Sequence, residues 1–536
     1  MTKSLKFAKV LAFSMGYSPD MIAGVKSRLL ERKDLRAGEG EPIAVHAAVT
    51  RASTLYEKLR NAIDYRDEHL LRKGAIARIL RRRLALDNDV HETALTLLKE
   101  LVAAGYLPNA ALPESLAKKV ATIIQRYQTV RGCKTGSEAH YKWLYSITVA
   151  ELDELFDAAA ERRSLSFFLY ERLAESVQIS KGEMDPNERR LQVYIACLRA
   201  FQKAEDDTVS LTLLRGYLPE WITPETWAET PQDFAYRLAG VHSLIQRQLR
   251  HPWSAKFLQT VRPHAVALRT MVDALLVDGQ YQLDRFEKMD KFEKQIMEIA
   301  EAQMGKARSR LRKGMVRAIF YLFATKVLFA LALEIPFEAV IYGHVDQRTL
   351  MINIGLPPGL MLILGSLIRL PGKKNTDRII EMVKELLGTD QVPLLRMTIA
   401  KARSFGGRML VRLVYLLMFG ASFGLISYIL FRAHFTFISA SIFVFFLCLV
   451  SFFAFRLRSN ARELVVLRRP ERFTTAVVDF FSYPVLRAGH QLSTAVSRIN
   501  ILILFFDVLI EAPFKLFLSA LEHWLAFMRD RREEIE

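Results

Sequence analysis

The apolar run A324-T-K-V-L-F-A-L-A-L-E-I-P-F-E-A339 carries Lys326, Glu334 and Glu338, and a second run, F505-F-D-V-L-I-E-A-P-F-K515, repeats the Glu-x-Pro-Phe pattern. An ionisable side chain inside a membrane-length apolar segment costs about 2.5–3.5 kcal/mol on insertion scales, so it marks a pair or a function. Three uses of Lys326 follow. Its stem can snorkel to the headgroups, with Glu334, Pro336 and Glu338 forming an interfacial turn. It can pair with a distant acid, for which Asp507 and Glu511 are the candidates. Or the three charges can relay protons or ions. Glu334 is a poor partner by spacing, because eight residues of α-helix rise about 12 Å.

Other constellations point to less. The stretch N353-I-G-L-P-P-G-L-M361 places Gly355, Pro357, Pro358 and Gly359 inside an apolar run. That composition predicts a broken helix, as transporters use to expose backbone groups or as a re-entrant hairpin requires. The stretch G420-A-S-F-G424 matches G-x-S-x-G literally, yet it falls mid-helix, without the strand-turn-helix setting of a nucleophile elbow. Gly420 and Gly424 are better read as a small-residue helix-packing face. D87-N-D-V-H-E92 lacks calcium-loop spacing and reads as a helix cap. No H-E-x-x-H and no phosphate-binding G-x-x-x-x-G-K-[ST] loop occurs. No catalytic residue, cofactor or metal is expected, and the chain reads as a non-enzyme.

The elements that must hold these residues divide the chain in two. Its 536 residues are 51% hydrophobic and 25% charged, a combination that predicts halves of different character. Up to about Arg312 the sequence is polar and patterned; from Lys313 long apolar runs alternate with basic loops. Residues 1–312 hold 48 Lys+Arg against 40 Asp+Glu, so +8 of the net +18 lies there and +10 in 313–536. The latter excess flanks apolar runs, as membrane orientation requires, whereas nucleic acid would favour one dense basic face. Nucleic acid is therefore not an expected partner. Cys133, Cys197 and Cys448 are scattered, which predicts neither disulfides nor zinc. The first twenty residues lack a signal-peptide core.

Four segments have the length of spans: 318–342, 350–369, 410–431 and 436–455. Basic residues are dense before the first, between the second and third, and after the fourth, and sparse in both hairpins. That alternation predicts an inner (cytoplasmic) membrane protein with both termini cytosolic. Along the run 499–528 and the residue after it, Asp507, Glu511, Lys515, Glu522 and Arg529 share one arc of a helical wheel. It reads as an amphipathic helix kinked at Pro513. The basic stretch 456–475 is placed to meet anionic headgroups.

Residues 1–312 read as helices, with Pro followed by an acid at successive starts such as D185-P-N-E188 and T230-P-Q-D233. G105-Y-L-P-N-A-A-L-P-E-S-L-A117 and G216-Y-L-P-E-W-I-T-P-E-T-W-A228 echo each other, by convergent punctuation or by duplication. The expected organisation is all-α and polytopic. A helical cytosolic domain spans 1–283, with a possible subdivision near 181–187, and a connecting helix 284–317. The first hairpin is 318–369, a basic loop with an amphipathic helix is 370–409, and the second hairpin is 410–455. A basic segment with the amphipathic helix fills 456–536. The expected role is a membrane-tethered scaffold that binds a protein partner through 1–312. The alternative is a transport or channel component using Lys326, Glu334 and the broken second span. An intramembrane enzyme ranks last.

Overall fold

The computed structural model describes residues 19–30, 42–63, 68–86, 89–156, 159–181, 183–277, 280–342, 347–366, 368, 372–388, 392–398, 405–461, 466, 483–491, 520 and 524. The amphipathic helix expected over 499–528, with Asp507 and Glu511, lies outside them apart from two positions. The basic stretch 456–475 is described only over 456–461 and at 466.

The chain forms two compact units that separate at Pro263, inside a helix, rather than at the expected boundary of 283. Residues 20–177 and 184–262 make the first; 178–183 and 263–499 make the second. The first is a stack of helices: α1 (Pro19–Leu30), α2 (Ala47–Ile63), α3 (Glu68–Leu86), α4 (Val90–Ala103), α5 (Ser115–Gly132), α6 (Glu138–Leu155), α7 (Ala159–Leu173), α8 (Pro186–Phe201), α9 (Asp206–Tyr217) and α10 (Pro231–Leu249). Helix α11 (Ser254–Leu275) begins in it. Several starts are fixed by the local chemistry that the sequence advertises. Asp185 accepts from the Glu188 N–H at 3.0 Å with Pro186 behind it, Asp89 accepts from the His91 N–H at 2.8 Å, and Ser137 from the His140 N–H at 3.3 Å.

Two apolar cores fill this unit. Ile76, Ile79, Leu97, Leu101, Val120 and Ile124 form one; Ile147, Leu198, Leu214, Trp221, Phe234 and Leu238 form the other. The two GYLP copies fold differently. Gly105 adopts φ +78° and ends α4, whereas Gly216 stays helical within α9 and is followed by short 3-10 turns at Pro219–Trp221 and Pro224–Thr226. Shared punctuation therefore serves two different corners, which favours convergence over duplication.

Beside the second core His140 and His242 bring their Nδ1 atoms to 3.4 Å, with the Trp143 ring stacked on His242 at 4.4 Å between centroids. Burial lowers the His140 pKa; burial, His140 and Arg250 push His242 down to about 4. The unfolded chain takes a proton on each near pH 6.5. Stability from this pair is thus complete above about pH 6.5 and is lost as pH falls toward about 4. Thermal melting followed across that range should show the transition dropping with acid, and His242→Gln should flatten the slope. A wild-type slope unchanged in the variant would remove the pair as its source.

The second unit contains the rest of α11 and then α12 (Met289–Phe329), α13 (Ile335–Tyr342), α14 (Gln347–Ser366), α15 (Lys373–Leu387), α16 (Phe405–Arg432) and α17 (Phe437–Ala461). Short strands, absent from the sequence reading, also occur. β1 (Val177–Lys181) pairs with β4 (Leu395–Thr398), and β2 (Leu276–Val277) pairs antiparallel with β3 (Gln280–Tyr281). No alternation longer than these strands exists to announce them, and β1 meets a partner more than 200 residues away. Amphipathic α15 buries Ile379, Val383, Leu386 and Leu387, and Glu385 on its other side meets His264 at 3.1 Å.

Three helical stretches are long and apolar enough to cross a membrane: within Met289–Ile341, Met409–Arg432 and Phe437–Arg458. The protein is thus predominantly helical, with the composition of a membrane protein. The expected fourth span is shorter, an apolar helix over Leu350–Ser366. Its 17 residues rise about 26 Å, less than the roughly 30 Å of a hydrocarbon core. Helix α12 runs unbroken from the connecting segment into the first span. The expected break in the second does not occur either: α14 is continuous, with Pro357 and Pro358 inside it. Proline's fixed φ is helical, so the pair removes two donors rather than the turn itself.

Helices α12, α14 and α17 pack through Leu322, Met361, Phe446 and Val450. Here the close-packing glycines are Gly314 and Gly365. A Cβ on Gly314 would stand 2.9 Å from Leu457, and one on Gly365 would collide with Met315. Gly420 and Gly424, expected to pack, would meet nothing within 4 Å among the described residues. The spacing of small residues marks where a helix can approach, and within the described chain none does.

Candidate functional site

Lys326 lies one turn from the end of α12 and is fully buried. It does not snorkel; protein encloses it. Its Nζ donates to Glu334 Oε2 at 3.1 Å and sits 5.2 Å from the centroid of the Phe446 ring, a cation–π contact on a desolvated ammonium. The poor partner of the sequence reading is therefore the actual one. The reason is the backbone between them: Ala330–Glu334 is a π-helical segment. In α geometry an eight-residue step ends about 80° off the starting face. A π turn closes i→i+5 and takes more residues per revolution, which swings Glu334 back over Lys326. Pro336 supplies a local cause, because its ring and missing N–H conflict with the carbonyl of Ala332 in a tight helix. The expected Glu-Pro turn at the interface is in fact a widened turn inside the protein.

Glu338, one turn on, is 4% exposed, and Glu334 is 0%. The two carboxyls share a face and converge on the start of α17. There Ser439 Oγ contacts Glu334 Oε1 and also lies 3.1 Å from Glu338 Oε1. Thr436 caps α17, accepting from the Ser439 N–H at 3.3 Å, and its Oγ1 donates to Glu338 Oε1 at 2.9 Å. From α14, Asn353 Nδ2 donates to Glu334 Oε1 and lies 3.4 Å from the Ser439 carbonyl oxygen. Asn353 is fully buried, and its Oδ1 has no hydrogen-bond partner among the described residues. The N-terminus of α17 adds a partial positive charge, about half a unit, facing the carboxyls.

Proton counting constrains this arrangement. Ser439 has one hydroxyl proton and two carboxylate neighbours, so that proton is shared between Glu334 and Glu338. Lys326, Glu334, Ser439, Glu338 and Thr436 thus form a continuous polar chain through helices otherwise lined with Leu, Met and Phe.

Of the sequence candidates, Lys326, Glu334 and Glu338 come together here. Asp507 and Glu511 fall outside the described residues. Gly355, Pro357, Pro358 and Gly359 belong to α14, about a turn beyond Asn353, and none of them is among the described residues that hydrogen-bond to the charges. Pro357 does bear on the site indirectly: it cannot donate to the carbonyl of Asn353, four residues before it. Ser422 is buried mid-helix in α16 with its Oγ unpartnered among the described residues. The sequence reading missed Asn353, Thr436, Ser439 and Phe446. Its available signal was the polar side chain in an apolar run, which is informative for Asn353. Ser and Thr are ordinary in such helices and carry little signal alone.

No known protein family, curated protein or solved structure matches this chain.

Proposed function

We propose that the membrane half of this protein is a transport or channel component that passes ions through the Lys326–Glu334–Glu338 cluster. One observation carries the reading: three ionisable side chains, none more than 4% exposed, converge from separate turns and meet hydroxyls of a second helix. A chain selected only for stability gains little from such a group, because well-packed apolar residues hold helices together as well or better. Retained intramembrane charges mark substrate or ion pathways. This consideration moves transport ahead of the scaffold role that the composition alone favours. The activity is non-enzymatic in this reading.

In this reading the protein sits in the inner (cytoplasmic) membrane with both termini cytosolic, a placement that the alternation of basic loops supports. Four segments cross, α14 being the short fourth, and the basic stretch 456–475 rests on anionic headgroups. A scaffold role for the helical unit remains a second reading, favoured by exposed Leu55, Ile222 and Tyr236 on its surface. Its test is co-purification of a partner that is lost when those three side chains are made polar.

The transport reading is tested in proteoliposomes enclosing a pH-sensitive dye, with an imposed pH gradient. Wild-type protein should collapse the gradient faster than empty vesicles, and Glu334→Gln should slow it at least tenfold. Equal rates for wild type, variant and empty vesicles would sink the reading.

A further inference from the structure

Helix α3 matches nearly all of its basic side chains with acids. Arg72 meets Asp153 at 2.7 Å, Lys73 meets Glu205 and Asp207, Arg78 meets Glu57 at 2.6 Å, and Arg82 and Arg83 share Glu100. Arg81, inside the basic run R78-I-L-R-R-R83, has no carboxylate partner among the described residues. Its guanidinium stands instead 5.5 Å from the centroid of the Tyr145 ring on α6. Arg131, at the end of α5, is placed alike. It too lacks a carboxylate among the described residues, lies 5.9 Å from the Tyr127 centroid, and donates to Tyr127 Oη at 3.1 Å. Tyr127 and Tyr145 meet edge to face with centroids 5.8 Å apart. Two exposed guanidinium groups, unmatched by acids, thus flank one pair of contacting rings.

These four side chains line one cleft of the helical unit, about 1090 Å³ in volume, between α3, α5, α6 and the start of α9. That is ample for a small organic ligand. Its rings are held in place by the protein itself: Tyr145 Oη donates to the Ala77 carbonyl, and Tyr141 Oη accepts from the Gly136 N–H at 3.0 Å. The chemistry changes along the cleft. Eight residues before Arg81, about 12 Å along α3, Lys73 is already satisfied by Glu205 and Asp207. That end presents acceptors, since the Glu205 side chain is 47% exposed. Guanidinium groups, ring surfaces and carboxylate oxygens follow one another over roughly the length of a mononucleotide. Guanidinium suits its phosphate, tyrosine rings its base, and carboxylates an amino group on the base's far edge.

We infer that this cleft binds a nucleoside phosphate with an amino-bearing base, of the adenosine monophosphate type, its phosphate toward Arg81 and Arg131. The site lies wholly within the helical unit and does not depend on the transport reading.

The experiment titrates adenosine monophosphate calorimetrically into the purified full chain in detergent. Binding should saturate in the millimolar range or below, and inorganic phosphate at equal ionic strength should bind at least about tenfold more weakly, because it cannot use the rings. Arg81→Gln and Arg131→Gln should each weaken the nucleotide about tenfold. Both side chains are exposed, so melting without ligand should match wild type. Lys142→Gln removes another cation of the cleft, one that Glu138 already matches at 2.6 Å, and should change the affinity by less than about twofold. Inosine monophosphate, with a carbonyl oxygen in place of the adenine amine, should bind more weakly, because it turns an acceptor toward Glu205 and Asp207. Absence of saturable binding overturns the site, and so does inorganic phosphate binding as tightly as the nucleotide; neither comparison needs a variant. Equal losses in Lys142→Gln and the arginine variants would reduce the effect to unspecific attraction and overturn it as well. Equal affinity for the inosine and adenosine compounds would overturn the amino-bearing base.

Discussion

Glu334→Gln is expected to lower the stability of the detergent-solubilised protein by about 3 kcal/mol, and Lys326→Met in the same background to recover most of the loss. The single substitution leaves an ammonium fully enclosed, with a neutral amide where its counter-charge stood. Removing one partner of a buried pair typically costs about 3–5 kcal/mol, whereas replacing both is often neutral. Lys326→Met alone should cost less than Glu334→Gln, because Glu334 retains its contacts with Asn353 and Ser439 when Lys326 is gone, whereas Glu334→Gln leaves an enclosed ammonium without its counter-charge. The coupling read from the double-mutant cycle should reach about 1–3 kcal/mol. Additive single effects would mean that the 3.1 Å contact carries no energy of its own, and that another group balances Lys326.

The second large effect is expected in the helical unit. Arg126 is buried with its guanidinium 4.3 Å from the centroid of the Trp221 ring, and it donates to the Trp221 carbonyl and to Glu151. Glu151 also accepts from Trp221 Nε1 and Arg215, each at 3.2 Å. Burial lowers the Arg126 pKa while Glu151 opposes the shift; the guanidinium stays charged in any case, so this carboxylate is what compensates a buried positive charge. Glu151→Ala should destabilise the unit by about 3–5 kcal/mol and lower its melting temperature by roughly 10 °C. Intrinsic tryptophan fluorescence, to which buried Trp221 contributes, follows the change. Glu138→Ala, which removes an exposed pair with Lys142, should leave the transition unmoved. If the two variants melt alike, burial of the Arg126 pair is not what stabilises this core.

Residue type and spacing were enough to establish the helical character of the chain, because periodicity, caps and Pro-acid starts are local signals. Asp89 and Asp185 cap in the structure the helices they announce. Composition likewise located the apolar stretches, since hydropathy needs no partner, and it singled out Lys326, Glu334 and Glu338 because charge in such a stretch is anomalous anywhere. Pairing was another matter. Lys326 and Glu334 meet only because a π-helical turn over Ala330–Glu334 rotates one toward the other, and no wheel drawn at 100° per residue contains that turn. Asn353, Thr436 and Ser439 join them from other helices, a convergence set by how α14 and α17 pack against α12. Gly314 and Gly365, rather than Gly420 or Gly424, pack closely against neighbouring helices for the same reason. The sequence by itself determined which residues carry charge and which segments are apolar; tertiary packing decided which of them touch, because contact between helices depends on rotation and depth that no single segment encodes.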